Sequence, residues 1–182
     1  MKRKISIILF ALCCIALLQA QNSEKSIRKI RSEYNSIKSK IATLQKDEYA
    51  GAFYCLHLTD NVYNKSYPAS GTYIVDQYFY YDQGEKRNWQ LYMLVESSKI
   101  SDVTIYTECM YREGELTFVF TKSGYDDYME KRLYLSGGKA IRYTENNEER
   151  NINSSQEFIE SMRSIGENYL ELFNSIKISD NE

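Results

Sequence analysis

From Ser23 to about Lys46 the apolar residues fall at Ile27, Ile30, Tyr34, Ile37, Ile41 and Leu44, in alternating steps of three and four. That spacing lines up one face of a helix, and no Gly or Pro interrupts it. Ser23 is an expected N-cap, and Glu24 follows it near the positive end of the helix dipole. A second helical stripe, Phe158, Met162, Ile165, Tyr169, Leu172, Phe173 and Ile176, closes the chain. It follows Ser154-Ser-Gln-Glu157, which has the form of a capping box. Gly166 is its one poor helix former, at a cost of about 1 kcal/mol.

Between the stripes the texture changes to aromatic and β-branched residues in alternation, and Tyr49 to Tyr143 contains fifteen of the seventeen tyrosines. This composition predicts strands over Ala50 to Leu58, Thr72 to Tyr81, Trp89 to Glu96, Val103 to Tyr111, Leu116 to Lys122, Lys131 to Leu135 and Ala140 to Thr144. Short polar links make them a meander. Asn61 to Gly71, with the sole proline Pro68, is too long for a tight turn and reads as a loop, as does Glu145 to Asn153. The pattern therefore predicts an α+β fold, an antiparallel β-meander of about seven strands packed against N- and C-terminal amphipathic helices. Both helices are expected on one face, leaving the other as a tyrosine-rich surface.

Three turns share a Tyr-x-x-Gly spacing: Tyr81 to Gly84, Tyr111 to Gly114 and Tyr134 to Gly137. In each, Gly suits the positive-φ position of a tight loop and Tyr closes the strand, so each marks a hairpin. These hairpins resemble those of small uncharacterised exported bacterial proteins, over residues 81 to 143. The resemblance implies no characterised activity.

Ahead of the first stripe, Lys2, Arg3 and Lys4 precede an apolar run from Ile5 to Leu18, and Ala20 ends a small-residue cleavage site before Gln21. The run is shorter than the roughly 20 residues of a spanning helix. It reads as a signal peptide over 1–20, leaving a single α+β domain over 21–182 that is periplasmic or secreted. Lipidation at Cys13 or Cys14 is less favoured, because Leu12 precedes Cys13 where acylated cysteines want a small residue. Cleavage lowers the 23 Lys and Arg to 20 against 25 Asp and Glu, a balance of −5. An acidic chain without a basic run argues against nucleic acid as partner. No second hydrophobic stretch suggests a transmembrane segment after cleavage.

Cleavage also leaves Cys55 and Cys109 as the remaining thiols, and an oxidising compartment makes them a candidate disulfide. The alternative is two separate buried thiols. Cys55 and His57 share a strand face, the minimal set for a hydrolase or transferase with a thiol nucleophile. Two residues along a strand are about 7 Å apart, however, too far for the imidazole to take the thiol proton directly. Asp126, Asp127 and Glu130 form an acidic cluster without the spacing of a calcium loop, so it reads as a solvated turn. One histidine and two thiols compose no familiar metal site, and no phosphate loop or other cofactor motif is present.

The tyrosine excess remains. Tyr73, Tyr78, Tyr80, Tyr81, Tyr92 and Tyr106 are the candidate ligand-binding residues, since Tyr joins apolar area to a polar tip. The competing account is β propensity alone. The sequence thus points to an exported, non-catalytic binding or envelope-associated protein, with a protein, polymer or small molecule as ligand.

Overall fold

Helix α1 (Lys2–Asp47) turns Ile27, Ile30, Ile37 and Ile41 onto one buried stripe. Burying each such side chain contributes about 1.5–3 kcal/mol. Nothing between Ile5 and Asn22 breaks a helix, so in the uncleaved chain α1 runs through Ser23, which is there an internal residue and not the expected cap. The computed structural model describes residues 2–47, 51–68, 71–84, 88–124 and 129–179. Among them no helix is long and apolar enough to cross a membrane.

Among the described residues nine strands follow: β1 (Tyr54–Asp60), β2 (Ser66–Tyr67), β3 (Gly71–Gln83), β4 (Trp89–Ile100), β5 (Val103–Arg112), β6 (Glu115–Gly124), β7 (Met129–Ser136), β8 (Lys139–Glu145) and β9 (Glu148–Glu149). They form an antiparallel sheet in the order β1-β3-β4-β5-β6-β7-β8-β9, with β2 paired to β3 beyond the end of β1. The fold is α+β as the pattern predicts, with two short strands added. Both additions lie in stretches read as loops. Asn61, at φ 54°, folds the chain back between β1 and β2, its side chain bonding Lys65 N and the carbonyls of Lys65 and Tyr73. Asn146 and Asn147, at φ 48° and 67°, make the tight turn into β9.

The Tyr-x-x-Gly segments do fall at hairpins, although Gly84, unlike Gly114 and Gly137, is not at the expected positive φ. Glu113-Gly114 and Gly137-Gly138 are two-residue turns with both residues at positive φ, the geometry that follows strand twist. Each of the three hairpins also carries a bulge near its turn, leaving Tyr92, Thr117 and Ile141 without a register partner. Thr117 Oγ1 donates to the Met110 carbonyl there, at 3.1 Å.

A 3₁₀ turn (Ile152–Ser155) leads into α2 (Gln156–Ser179). The helical path starts at Asn151, whose side chain accepts from Asn153 N at 2.8 Å, so this residue caps it in place of the expected Ser154 box.

The helices do not share a face. Ile27, Ile30, Ile37 and Ile41 of α1 pack on Tyr80, Met93, Met110, Phe118 and Tyr134. Ile159, Met162 and Phe173 of α2 pack on the alternate positions, Phe79, Leu94, Cys109, Val119 and Leu133 among them. Successive strand residues point to opposite faces, so the sheet is covered on both sides. The expected exposed tyrosine face is corrected by the strands themselves, which carry apolar residues at odd and even positions alike, as doubly buried strands do.

Candidate functional site

Helix α1 crosses the sheet over the register row Tyr80, Met93, Met110, Phe118, Tyr134, all buried. The next row on the same face is His57, Tyr78, Val95, Glu108, Phe120, Arg132. There only Glu108 is buried; the others stay partly or largely open, making a shelf beside the helix. Tyr34 and Lys38 reach from α1 to Glu108 and close the shelf at its middle, donating at 2.5 and 2.6 Å. Tyr106, one row further out, donates to the same carboxylate at 2.5 Å.

On the β6–β7 side the helix and sheet leave a cleft of about 280 Å³. Ile30, Arg31, Tyr34 and Asn35 line it from the helix, and Phe118, Phe120, Arg132 and Tyr134 from the sheet. Its walls are ordered by ring packing: Phe118 meets Tyr34 edge-on at 5.4 Å and Tyr134 at 5.0 Å. Arg31 lies over the Tyr134 ring at 5.6 Å, and its Nε donates to the Tyr134 hydroxyl at 3.4 Å. Arg132 lies over Phe120 at 4.9 Å and is held by Asn147 and Glu130, at 2.8 and 2.7 Å. Burial and then the bond to Glu108 raise the Tyr34 phenol well above its usual range, so it stays protonated. The cleft therefore joins aromatic walls to two cations.

Cys55 and His57 lie on the same face of edge strand β1, as their spacing requires, but each is engaged elsewhere. His57 Nε2 is 2.9 Å from Asp76 Oδ1 and 3.2 Å from Thr59 Oγ1, and the ring stacks on Tyr78 at 4.1 Å. Burial raises the Cys55 thiol, against a lowering bond to Tyr80, which is opposite to what a thiolate nucleophile needs.

Both cysteines are free, so the expected disulfide is not formed. Cys55 pairs across to Tyr80 on the α1 face, whereas Cys109 pairs to Leu94 on the α2 face. Three strand spacings, about 14 Å, and the sheet itself separate them. Asp126 and Asp127 lie outside the described residues, and Glu130 is bound to Arg132.

The six tyrosines divide between the faces. Tyr80 and Tyr81 are buried, Tyr80 under α1 and Tyr81 against Phe173 of α2. Tyr78 and Tyr106 border the shelf, while Tyr92 packs on Phe53 and donates to Asp82 at 3.0 Å. Tyr73 lies at the far end of the sheet, bonded to Asp60 and ring-packed with Tyr67. Sequence reasoning missed the cleft residues, although Phe118/Phe120 and Arg132/Tyr134 carry a signal in their i, i+2 spacing, which sets each pair on one face. Comparison with protein-family models, curated proteins and solved structures finds no match to this chain.

Proposed function

We propose that this chain is an exported, non-catalytic binding protein that takes a small molecule into the cleft between α1 and β6–β7, along the shelf bordered by Tyr78, Tyr106 and Phe120. Export rests on the basic and apolar pattern of residues 1–20. The observation that carries the binding reading is the cleft: a concave aromatic site with a few convergent polar groups, the usual form of a small-ligand pocket. Against catalysis, the thiol of the Cys55–His57 pair is raised by burial, where a nucleophile needs it lowered.

Titration of the purified protein with N-phenyl-1-naphthylamine, a neutral fluorescent probe, tests the site. Asn35 is an exposed lining residue, so Asn35→Trp fills the cleft without touching the core. Saturable fluorescence enhancement that Asn35→Trp abolishes is expected. No enhancement, or enhancement indifferent to Asn35→Trp, overturns the reading.

A further inference from the structure

We infer that the ligand of this cleft is an organic anion, an apolar or aromatic body bearing a carboxylate, sulfonate or phosphate group; the inference rests on the cleft being the binding site. Among the described residues no carboxylate lines the cleft, while Arg31 and Arg132 both do. The nearby acids are already matched. Glu108 accepts from Lys38, Tyr34 and Tyr106, and Glu130 accepts from Arg132 with Lys122 at 3.9 Å. Among the described residues lining the cleft the charged groups are thus the guanidiniums of Arg31 and Arg132, on a chain whose net charge is −2.

Arg31 is the exposed member of this set, and among the described residues no carboxylate pairs with it. Its Nε is engaged by the Tyr134 hydroxyl and its Cζ lies 5.6 Å from the Tyr134 ring centroid, which holds the guanidinium at the cleft with its other nitrogens available to an anion. Aromatic walls beneath two guanidiniums suit a ligand with one apolar part and one charged part.

Parallel titrations with anilinonaphthalene sulfonate and neutral N-phenyl-1-naphthylamine separate the charge from the body. The sulfonate should bind about 10-fold more tightly, as a charge-assisted contact implies. Arg31→Gln should remove that advantage and Arg31→Glu should reverse it, read in each variant as the ratio of sulfonate to neutral-probe affinity. Arg28→Gln, an exposed change elsewhere on α1, should alter neither. Equal affinity for the two probes, or sulfonate binding indifferent to Arg31→Glu, overturns the anion inference while leaving the cleft. Failure of both probes to respond to Asn35→Trp overturns the site itself.

Discussion

Tyr34 donates its hydroxyl to Glu108 Oε2 across 2.5 Å, tying α1 to β5 over 74 positions of sequence. On the other face Tyr169 of α2 donates to Glu96, which also accepts from Gln77 at 2.8 Å and Ser98 at 2.9 Å. Each helix–sheet interface thus contains one buried carboxylate fully occupied by donors, the condition under which burying such a group is tolerable.

Removing an acceptor of this kind strands its donors. Glu108→Ala is expected to destabilise the fold by about 3 kcal/mol, since it deprives Lys38, Tyr34 and Tyr106 together. Lys38→Met should cost less, because that side chain is 37% exposed and the two phenols continue to bind the carboxylate. Urea unfolding of the two variants ranks them. A loss under about 1 kcal/mol for Glu108→Ala would show that the network contributes little.

The same network sets an alkaline limit. Burial, and then the bond to Glu108, raise the phenols of Tyr34 and Tyr106 above their ordinary value of 10.0. Burial and then Asp82 push Tyr92 up to about 12. In the unfolded chain these groups ionise near pH 10, while the folded chain keeps its protons. The stabilisation is therefore complete below pH 10 and is lost as pH rises above it, by up to about 1.4 kcal/mol per pH unit for each phenol. Urea melts from pH 8 to 11 should show a plateau and then a decline, shallower in Tyr34→Phe/Tyr106→Phe. An unchanged slope in that double variant would remove these phenols as the cause.

What the sequence could and could not show follows from the range of the information. The helical stripes and hairpins are local, and Ile27, Ile30, Ile37 and Ile41 do form the buried face that their spacing predicts. Which face of the sheet each helix covers depends on both sets of strand residues at once, and Cys109 beside Met110 gives no preference. The bulged residues Tyr92, Thr117 and Ile141 are visible only once two strands are in register. The cleft needs residues 31, 118 and 132 brought together, and no spacing announces that.

Opposite-face placement of the thiols makes a chemical prediction. Native protein treated with iodoacetamide should be labelled at Cys55, slowly, because burial raises that thiol. Cys109 should stay unlabelled until the protein is unfolded, being fully buried with its thiol pushed up to about 12. Peptide mapping by mass spectrometry reads both sites. A Cys55–Cys109 cross-linked peptide under non-reducing conditions would contradict the sheet register.

Gly166 looks in the sequence like a flaw in α2, where alanine would gain about 1 kcal/mol of helix propensity. Its position reverses that expectation. A Cβ there would sit 2.6 Å from both Cδ atoms of Leu116, and the Gly166 carbonyl accepts from the buried Tyr111 hydroxyl at 2.7 Å. The helix therefore packs closely on β6 at this residue, and overpacking of this kind costs about 1–3 kcal/mol. Gly166→Ala should be close to neutral or mildly destabilising as the two effects oppose, whereas Gly166→Val, bulkier and with a smaller propensity gain, should lose about 2–3 kcal/mol. Leu116→Ala opens the space that the added side chain needs, so Gly166→Val should cost less in that background than in the native one. Denaturant melts of the four-member cycle give the coupling directly. Strict additivity of the two changes would mean that α2 does not rest on Leu116 through Gly166.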